Sequence, residues 1–136
     1  MTGNETPAGS GAPARILLVE DDLDLIDLYS MQLTSLGYDV SAASNGQGAL
    51  DLLKTDMPFA LLLTDVGLGG SMDGQATAEA ARRLRPGLPV IFMSGYTPHF
   101  HNSADAMQEG TTFLQKPFRK KQLGEVLARV LGGGGQ

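Results

Sequence analysis

Short apolar runs recur along the chain, and each is followed by a stretch in which apolar residues return at helical spacing. Four of the runs are dominated by apolar or β-branched residues, a composition typical of strands buried on both faces of a parallel sheet. They cover residues 15–19, 61–64, 89–93 and 111–115. A fifth run, residues 38–42, alternates between apolar and polar positions and therefore predicts a strand at the edge of the sheet.

Capping residues mark the predicted helices. Asp22 and Asn45 are typical N-caps and predict the starts of the first two helices, while Gly37 predicts the end of the first. The third helix is expected to carry Ala76, Ala80 and Leu84 on one face, and its small side chains predict close packing against the sheet. A fourth helix with a weak apolar stripe is predicted over residues 98–108. The fifth has a clear amphipathic pattern at Leu123, Val126, Leu127 and Val130.

Five βα units in succession predict one α/β domain. The expected architecture is a five-stranded, doubly wound parallel sheet with right-handed crossovers and helices on both faces. This domain is expected to span residues 15–131. Residues 1–14 and 132–136, which are rich in glycine, are expected to be flexible tails.

Composition narrows the class of protein. The 136 residues have a formal net charge of −5, which argues against direct nucleic-acid binding because phosphate neutralisation needs clustered lysine and arginine. The absence of cysteine excludes disulfides, thiolate catalysis and cysteine-ligated zinc. The first fourteen residues lack a signal-peptide pattern, and no apolar stretch is long enough to cross a bilayer. We therefore expect a cytoplasmic protein that does not associate with membranes.

Each of the four buried runs is followed by charged or hydroxyl side chains that can take part in binding or catalysis. Glu20 and Asp21 follow the first run, Asp65 the second, Ser94 the third and Lys116 the fourth. Ligands of open α/β sheets bind in the crevice beyond the carboxyl ends of the strands, so we expect these residues to meet at one edge of the sheet. Turn chemistry would explain each residue separately but not the set.

Clustered carboxylates indicate a cation. Like charges close together are costly unless neutralised, and ligand sets made only of oxygen suit Mg²⁺. Beside a metal, Asp65 would be placed to attack an electrophilic phosphorus, and Lys116 and Ser94 to contact the oxygens of the transferred group. Alternatively, Lys116 forms only a salt bridge and Ser94 is an ordinary turn residue. Asp22 is interpreted as the helix cap and is left out of the site.

Motifs at the strand ends resemble those of one family. Their sequences are Val-Glu-Asp-Asp, Leu-Thr-Asp-Val, Met-Asp-Gly, Met-Ser-Gly and Lys-Pro-Phe, at residues 19–22, 63–66, 72–74, 93–95 and 116–118. In this order the motifs are similar to those of the CheY-like receiver domains of response regulators, over roughly residues 14–131. The resemblance implies a flavodoxin-like fold with strand order 2-1-3-4-5 and a cis peptide bond between Lys116 and Pro117.

The resemblance also implies a phosphoacceptor domain of a two-component phosphorelay. Asp65 would accept a phosphoryl group from the phosphohistidine of a histidine kinase or a histidine phosphotransfer protein. The cofactor would be Mg²⁺, held by Glu20, Asp21, Asp65 and the backbone carbonyl of Gly67. Such a domain is not an enzyme beyond catalysing its own phosphorylation and dephosphorylation.

A switch is implied at the third and fourth buried runs. Ser94 and Lys116 would contact the phosphoryl group, and Phe113 matches the aromatic switch position of the family. Movement of Ser94 toward the phosphoryl group would vacate space that Phe113 fills. This would alter a face for a downstream protein partner, formed by residues 98–108, the last strand and the last helix.

Some features depart from the common family pattern. The loop over residues 67–74 is one residue longer than usual and lacks a proline, so we expect a looser loop. This loop and the sequence of residues 94–97 resemble receivers of hybrid sensor kinases. Two other functions are considered. A phosphatase resembling haloacid dehalogenases would need a second acid where this chain has Gly67, and a non-catalytic flavodoxin-like binding domain would show no affinity for Mg²⁺.

Overall fold

A computed structural model describes residues 13–95 and 110–132 of the chain. Strands and helices follow one another as β1 (Arg15–Val19), α1 (Leu23–Ser35), β2 (Asp39–Ala43), α2 (Gly46–Leu53), β3 (Leu61–Asp65), α3 (Gly74–Leu84), β4 (Val90–Ser94), β5 (Thr111–Gln115) and α4 (Lys120–Leu127). A turn of π-helix, Ala128–Gly132, follows α4. The helix predicted over residues 98–108 lies outside the described residues.

The five strands form one parallel sheet in the order β2-β1-β3-β4-β5. The predicted strand order is therefore confirmed, and the alternating segment forms the edge strand β2. Residues of one strand point alternately to the two faces, so the apolar runs supply two separate cores. One core packs under α2 and α3, and the other packs under α1 and α4. The predicted coverage of both faces by helices is confirmed.

The first two helices begin at the predicted caps. The side chain of Asp22 accepts hydrogen bonds from the N–H groups of Asp24 (3.0 Å) and Leu25 (3.3 Å). Asn45 accepts from the N–H of Gly48 at 2.7 Å. Because Asp22 satisfies the first N–H groups of α1, the helix starts directly beyond the acidic residues that follow β1.

The buried face of α3 differs from the prediction. Ala80 is partly buried and packs against the core under α2 and α3, but Ala76 is only partly buried and Leu84 is 40% exposed. The buried positions are Gly74, Thr77, Ala78 and Ala81. Small residues occupy most of this helix, so their spacing does not determine which face packs. Thr77 can be buried because its hydroxyl donates to the carbonyl of Asp73 at 2.8 Å.

Gly74 brings α3 close to the end of β3. A Cβ atom at this position would overlap the carbonyl oxygen of Asp65 and lie 2.9 Å from the Cα of Val66. The Gly74 N–H donates to the carbonyl of Val66 at 3.0 Å. The glycine of the Met-Asp-Gly motif thus allows the helix to start against the backbone of Asp65. None of the helices in the described part of the chain has the length and apolarity needed to cross a membrane.

Gly74→Ala should destabilise the fold. We expect the free energy of unfolding to fall by about 1–3 kcal/mol, the usual cost of overpacking, because the atoms in contact belong to the backbone. In the matched control Gly48→Ala, the added Cβ would lie 3.4 Å from that of Ala43, an ordinary contact. For Gly48→Ala the free energy of unfolding should stay unchanged or rise by less than about 1 kcal/mol. Urea denaturation followed by circular dichroism measures both, and equal stability of the two variants would contradict the close packing.

Candidate functional site

Strand register brings the predicted residues to one edge of the sheet. Val19 of β1 pairs with Thr64 of β3, so Glu20, the next residue after Val19, lies beside Asp65. The strands β4 and β5 end at the same level, since Ser94 pairs with Gln115. Lys116 follows at once, and its N–H donates to the carbonyl of Ser94 at 2.8 Å.

Three carboxylates form a cluster at this edge. Glu20, Asp21 and Asp65 each offer an oxygen within 4.8 Å of the others. Glu20 is 1% exposed, whereas Asp21 is exposed and the side chain of Asp65 is 15% exposed. The predicted proximity of the three acids is confirmed, and Asp65 is the member that is partly buried and still open to solvent.

Lys116 pairs with two of the three acids. Its Nζ lies 3.0 Å from Oε1 of Glu20 and 3.5 Å from Oδ1 of Asp65. Burial lowers the pKa of Lys116, but the hydrogen bond to Glu20 and the negative charge of Asp65 more than offset this effect. The pKa of Lys116 therefore lies above that of an ordinary lysine, and the side chain is an ammonium at neutral pH.

The contacts of Glu20 only partly offset the cost of burying its charged carboxylate. Its Oε2 accepts a hydrogen bond from the N–H of Asp22 at 3.1 Å, and its Oε1 accepts one from Lys116. Burial nevertheless raises the pKa of Glu20 above the ordinary value, because desolvation outweighs both contacts. A cation bound at this carboxylate would favour its ionised form.

Asp21 is held by a backbone group that sequence reasoning missed. The N–H of Gly69 donates to Oδ2 of Asp21 at 2.9 Å. The neighbouring Leu68 is 6% exposed and packs into the core under α2 and α3, which fixes this part of the loop beside the acids. A backbone amide donor cannot be recognised from residue types. Only the glycine content of the loop hinted at this contact.

The remaining predicted residues lie at the same edge of the sheet or directly beyond it. Gly67 lies two residues beyond Asp65 and is exposed. Ser94 is 5% exposed at the end of β4. The Lys116–Pro117 peptide bond is cis, as the family resemblance implied.

Phe113 lies on β5, some distance along the strands from the acids. Its ring stacks on that of Phe92, with the centroids 5.5 Å apart and the planes inclined by 23°. The two residues pair in the register of β4 and β5, and Phe113 is half-buried against the core under α2 and α3. Both members of the predicted switch, Ser94 and Phe113, thus belong to the β4–β5 pair.

The donor set fits a hard divalent cation. Three carboxylates face one ammonium among the described residues at this edge, which leaves a net charge of about −2 if all are ionised. All the side-chain ligands are carboxylate oxygens, which suits Mg²⁺ rather than zinc, whose protein sites favour histidine and cysteine.

Residues 16–128 match the model of the response regulator receiver domain family, and the chain belongs to this family. It is 33% identical over 117 residues to the response regulator receiver protein CpdR of Brucella abortus (strain 2308), covering 86% of this chain and 96% of CpdR. It is also 33% identical over 123 residues to the transcriptional regulatory protein GlrR of Escherichia coli (strain K12). That alignment covers 90% of this chain but only 27% of GlrR.

Solved structures support the same assignment. A response regulator receiver protein from Sinorhizobium medicae WSM419 superposes with a TM-score of 0.79 at 29% identity, covering 90% of this chain and 97% of that one. The receiver domain of the hybrid histidine kinase CckA superposes with a TM-score of 0.72 at 30% identity, covering 88% of this chain and 100% of that one. The prediction of a CheY-like receiver domain of two-component signalling is confirmed, and neither the phosphatase nor the flavodoxin-like binding domain is favoured.

Mg²⁺ should stabilise this protein through the acidic cluster. A ligand that binds only the folded state raises the apparent stability, by roughly 2.7 kcal/mol at a hundred times its Kd. Asp21→Asn should remove most of the Mg²⁺-dependent rise in Tm. The neighbouring change Asp22→Asn is the matched control, because asparagine also caps helices and Asp22 is outside the cluster. Thermal unfolding with and without Mg²⁺ measures both, and equal shifts in the two variants would count against the site.

Proposed function

We propose that Asp65 is the phosphoacceptor of this receiver domain. The observation that carries the proposal is the placement of a partly exposed carboxylate at the end of β3, within 3.5 Å of an ammonium and within 4.8 Å of two further acids. Glu20 is too buried to be approached by a donor protein. Asp21 is exposed, but its Oδ2 already accepts the hydrogen bond from Gly69.

Glu20, Asp21 and Asp65, with the backbone carbonyl of Gly67, would hold Mg²⁺. When bound, the cation neutralises the cluster and the oxygens of the transferred phosphoryl group. The roles of the protein groups follow from their positions. An Asp65 oxygen forms a bond to phosphorus as the bond from phosphorus to the imidazole nitrogen of a phosphohistidine breaks, and the imidazole leaves with the electron pair.

Lys116 and Ser94 complete the site. Lys116 keeps its positive charge and sits against the Asp65 carboxylate, so its ammonium would contact a phosphoryl oxygen once Asp65 is modified. Ser94 ends the strand adjacent to β3 and would donate its hydroxyl to a second oxygen. The chain would catalyse only its own phosphorylation and dephosphorylation.

The phosphoryl donor would be a histidine kinase or a histidine phosphotransfer protein. Receiver domains as a class interact with histidine kinases and downstream effectors, and one similar structure is the receiver domain of a hybrid histidine kinase. This similarity supports a phosphohistidine as the donor group, whether it is carried by the same polypeptide or by a separate one.

The output would arise at β4 and β5. Phosphorylated Asp65 would draw the Ser94 hydroxyl toward it, and Phe113, which stacks on Phe92 two positions before Ser94, would move into the space released. Because Phe113 lacks a hydroxyl, packing alone would hold its inward position. The affected surface would include β5 and α4, and a downstream protein would bind there.

Phosphorylation can be tested without a cognate kinase. Incubation with acetyl phosphate and Mg²⁺ should add one phosphoryl group to the wild type, detected by intact mass, and none to Asp65→Asn. The matched control is Asp73→Asn, since Asp73 caps α3 by accepting from the N–H of Ala76 at 2.8 Å and asparagine preserves such a cap. Labelling of Asp65→Asn at the wild-type rate would refute the assignment.

The switch has its own test in hydrogen–deuterium exchange. Acetyl phosphate with Mg²⁺ should change amide exchange in residues 90–118 of the wild type, because a phosphoryl group adds charge and acceptor oxygens at the end of the strands. Ser94→Ala should still be labelled but should show a smaller exchange change around Phe113. An unchanged exchange pattern in fully labelled wild-type protein would exclude the proposed route.

A further inference from the structure

An aromatic pair lies beside the ammonium of Lys116. The ring of Tyr29 in α1 stacks on Phe118, with the centroids 5.0 Å apart and the planes inclined by 22°. Nζ of Lys116 lies 5.9 Å from the centroid of the Tyr29 ring. Tyr29 is 5% exposed and packs in the core under α1 and α4, so its ring belongs to a well-packed part of the molecule.

We propose that Tyr29, clamped by Phe118, is a positioning residue that holds the Lys116 ammonium at the acidic cluster. Phe118 follows Lys116 by two residues, so its stacking on Tyr29 ties the segment after β5 to α1. The face of an aromatic ring attracts a cation within about 6 Å. The proposal rests on the proposed function, which gives Lys116 its role.

The ring contact differs from the other contacts of Lys116. In the described part of the chain, the ammonium is paired with Glu20 and Asp65, and both carboxylates are engaged in the proposed chemistry. When Asp65 carries the phosphoryl group and Glu20 holds a cation, these two ion pairs change. The Tyr29 ring takes no part in that chemistry, so its contact with the ammonium would retain Lys116 at the site through the reaction.

The phenol itself is not needed for this role. Burial raises the pKa of Tyr29, so the side chain is neutral at neutral pH and offers Lys116 the face of its ring. Phenylalanine at this position would keep the ring and its stacking on Phe118. Leucine would keep most of the packing but would remove the ring.

The test compares rates of phosphorylation by acetyl phosphate and Mg²⁺. Tyr29→Leu should lower the rate constant by about two- to fivefold, as expected for loss of one cation–π contact, and Tyr29→Phe should restore most of it. Phe118→Leu, which releases the clamp from the half-exposed side, should slow the reaction in the same direction. Thermal unfolding verifies that each variant is folded; if Tyr29→Leu does not fold, Phe118→Leu takes its place in every comparison.

Tyr38→Leu is the matched control. Tyr38 packs against the same core, but burial alone raises its pKa, with no contribution from the charges of the site. The same substitution there should leave the rate at the wild-type value. Asp65→Asn serves as the blank in every series, so labelling of that variant reports failure of the proposed function rather than of this inference.

A double-mutant cycle separates positioning from general packing. If Tyr29 acts through Lys116, Tyr29→Leu should cause no further decrease in rate in a Lys116→Ala background. An equal fold-decrease in both backgrounds would overturn the proposal, as would a wild-type rate for Tyr29→Leu. If Lys116→Ala is not labelled at all, the comparison of Tyr29→Phe with Tyr29→Leu decides. A rate of phosphorylation for Tyr29→Phe as low as that of Tyr29→Leu would then overturn the proposal.

Discussion

The burial of Glu20 is the constraint on which the site depends. A carboxylate that is 1% exposed loses most of its hydration, and it stays ionised only if protein groups replace that water. Lys116 supplies part of this compensation from 96 residues further along the chain, at the end of a strand that β3 and β4 separate from β1. The ion pair spans the carboxyl edge of the sheet, so the same contact completes the fold and assembles the site.

Compensation in this cluster is unequal, and the inequality has a chemical consequence. Lys116 is 3.0 Å from Glu20 but 3.5 Å from Asp65, so the buried acid holds the ammonium and the more exposed acid shares it. Asp65 therefore has the Lys116 ammonium beside it, but its carboxylate oxygens are not held in a tight ion pair. This combination would suit the phosphoacceptor role that we propose for Asp65, because a tight ion pair would withhold its oxygens while an isolated carboxylate would repel an anionic phosphoryl group.

Different aromatic residues connect the site and the neighbouring strands to the cores on the two faces of the sheet. Tyr29 and Phe118 connect Lys116 to the core under α1 and α4, whereas Phe113 and Phe92 lie toward the core under α2 and α3. Closely packed cores do not deform continuously. A change of charge at the carboxyl edge is therefore better absorbed by rearrangement of discrete side chains than by gradual strain, and β5 carries groups that reach both cores.

The parts of this arrangement that could be predicted from the sequence are those governed by repeating geometry. Parallel strands bring their carboxyl ends together, so the ends of four apolar runs predicted that Glu20, Asp65, Ser94 and Lys116 would lie at one edge of the sheet.

The face of α3 was predicted wrongly because a helix of small residues has no dominant apolar stripe. The amide of Gly69 and the close approach at Gly74 depend on backbone positions that residue types do not encode. Tyr29 is buried in the core under α1 and α4, but a tyrosine in an apolar stripe looks the same whether or not a cation lies over its ring. Its contact with Lys116 arises only when α1 and the segment after β5 pack together, and such a pairing between distant segments leaves no periodic signal in either one.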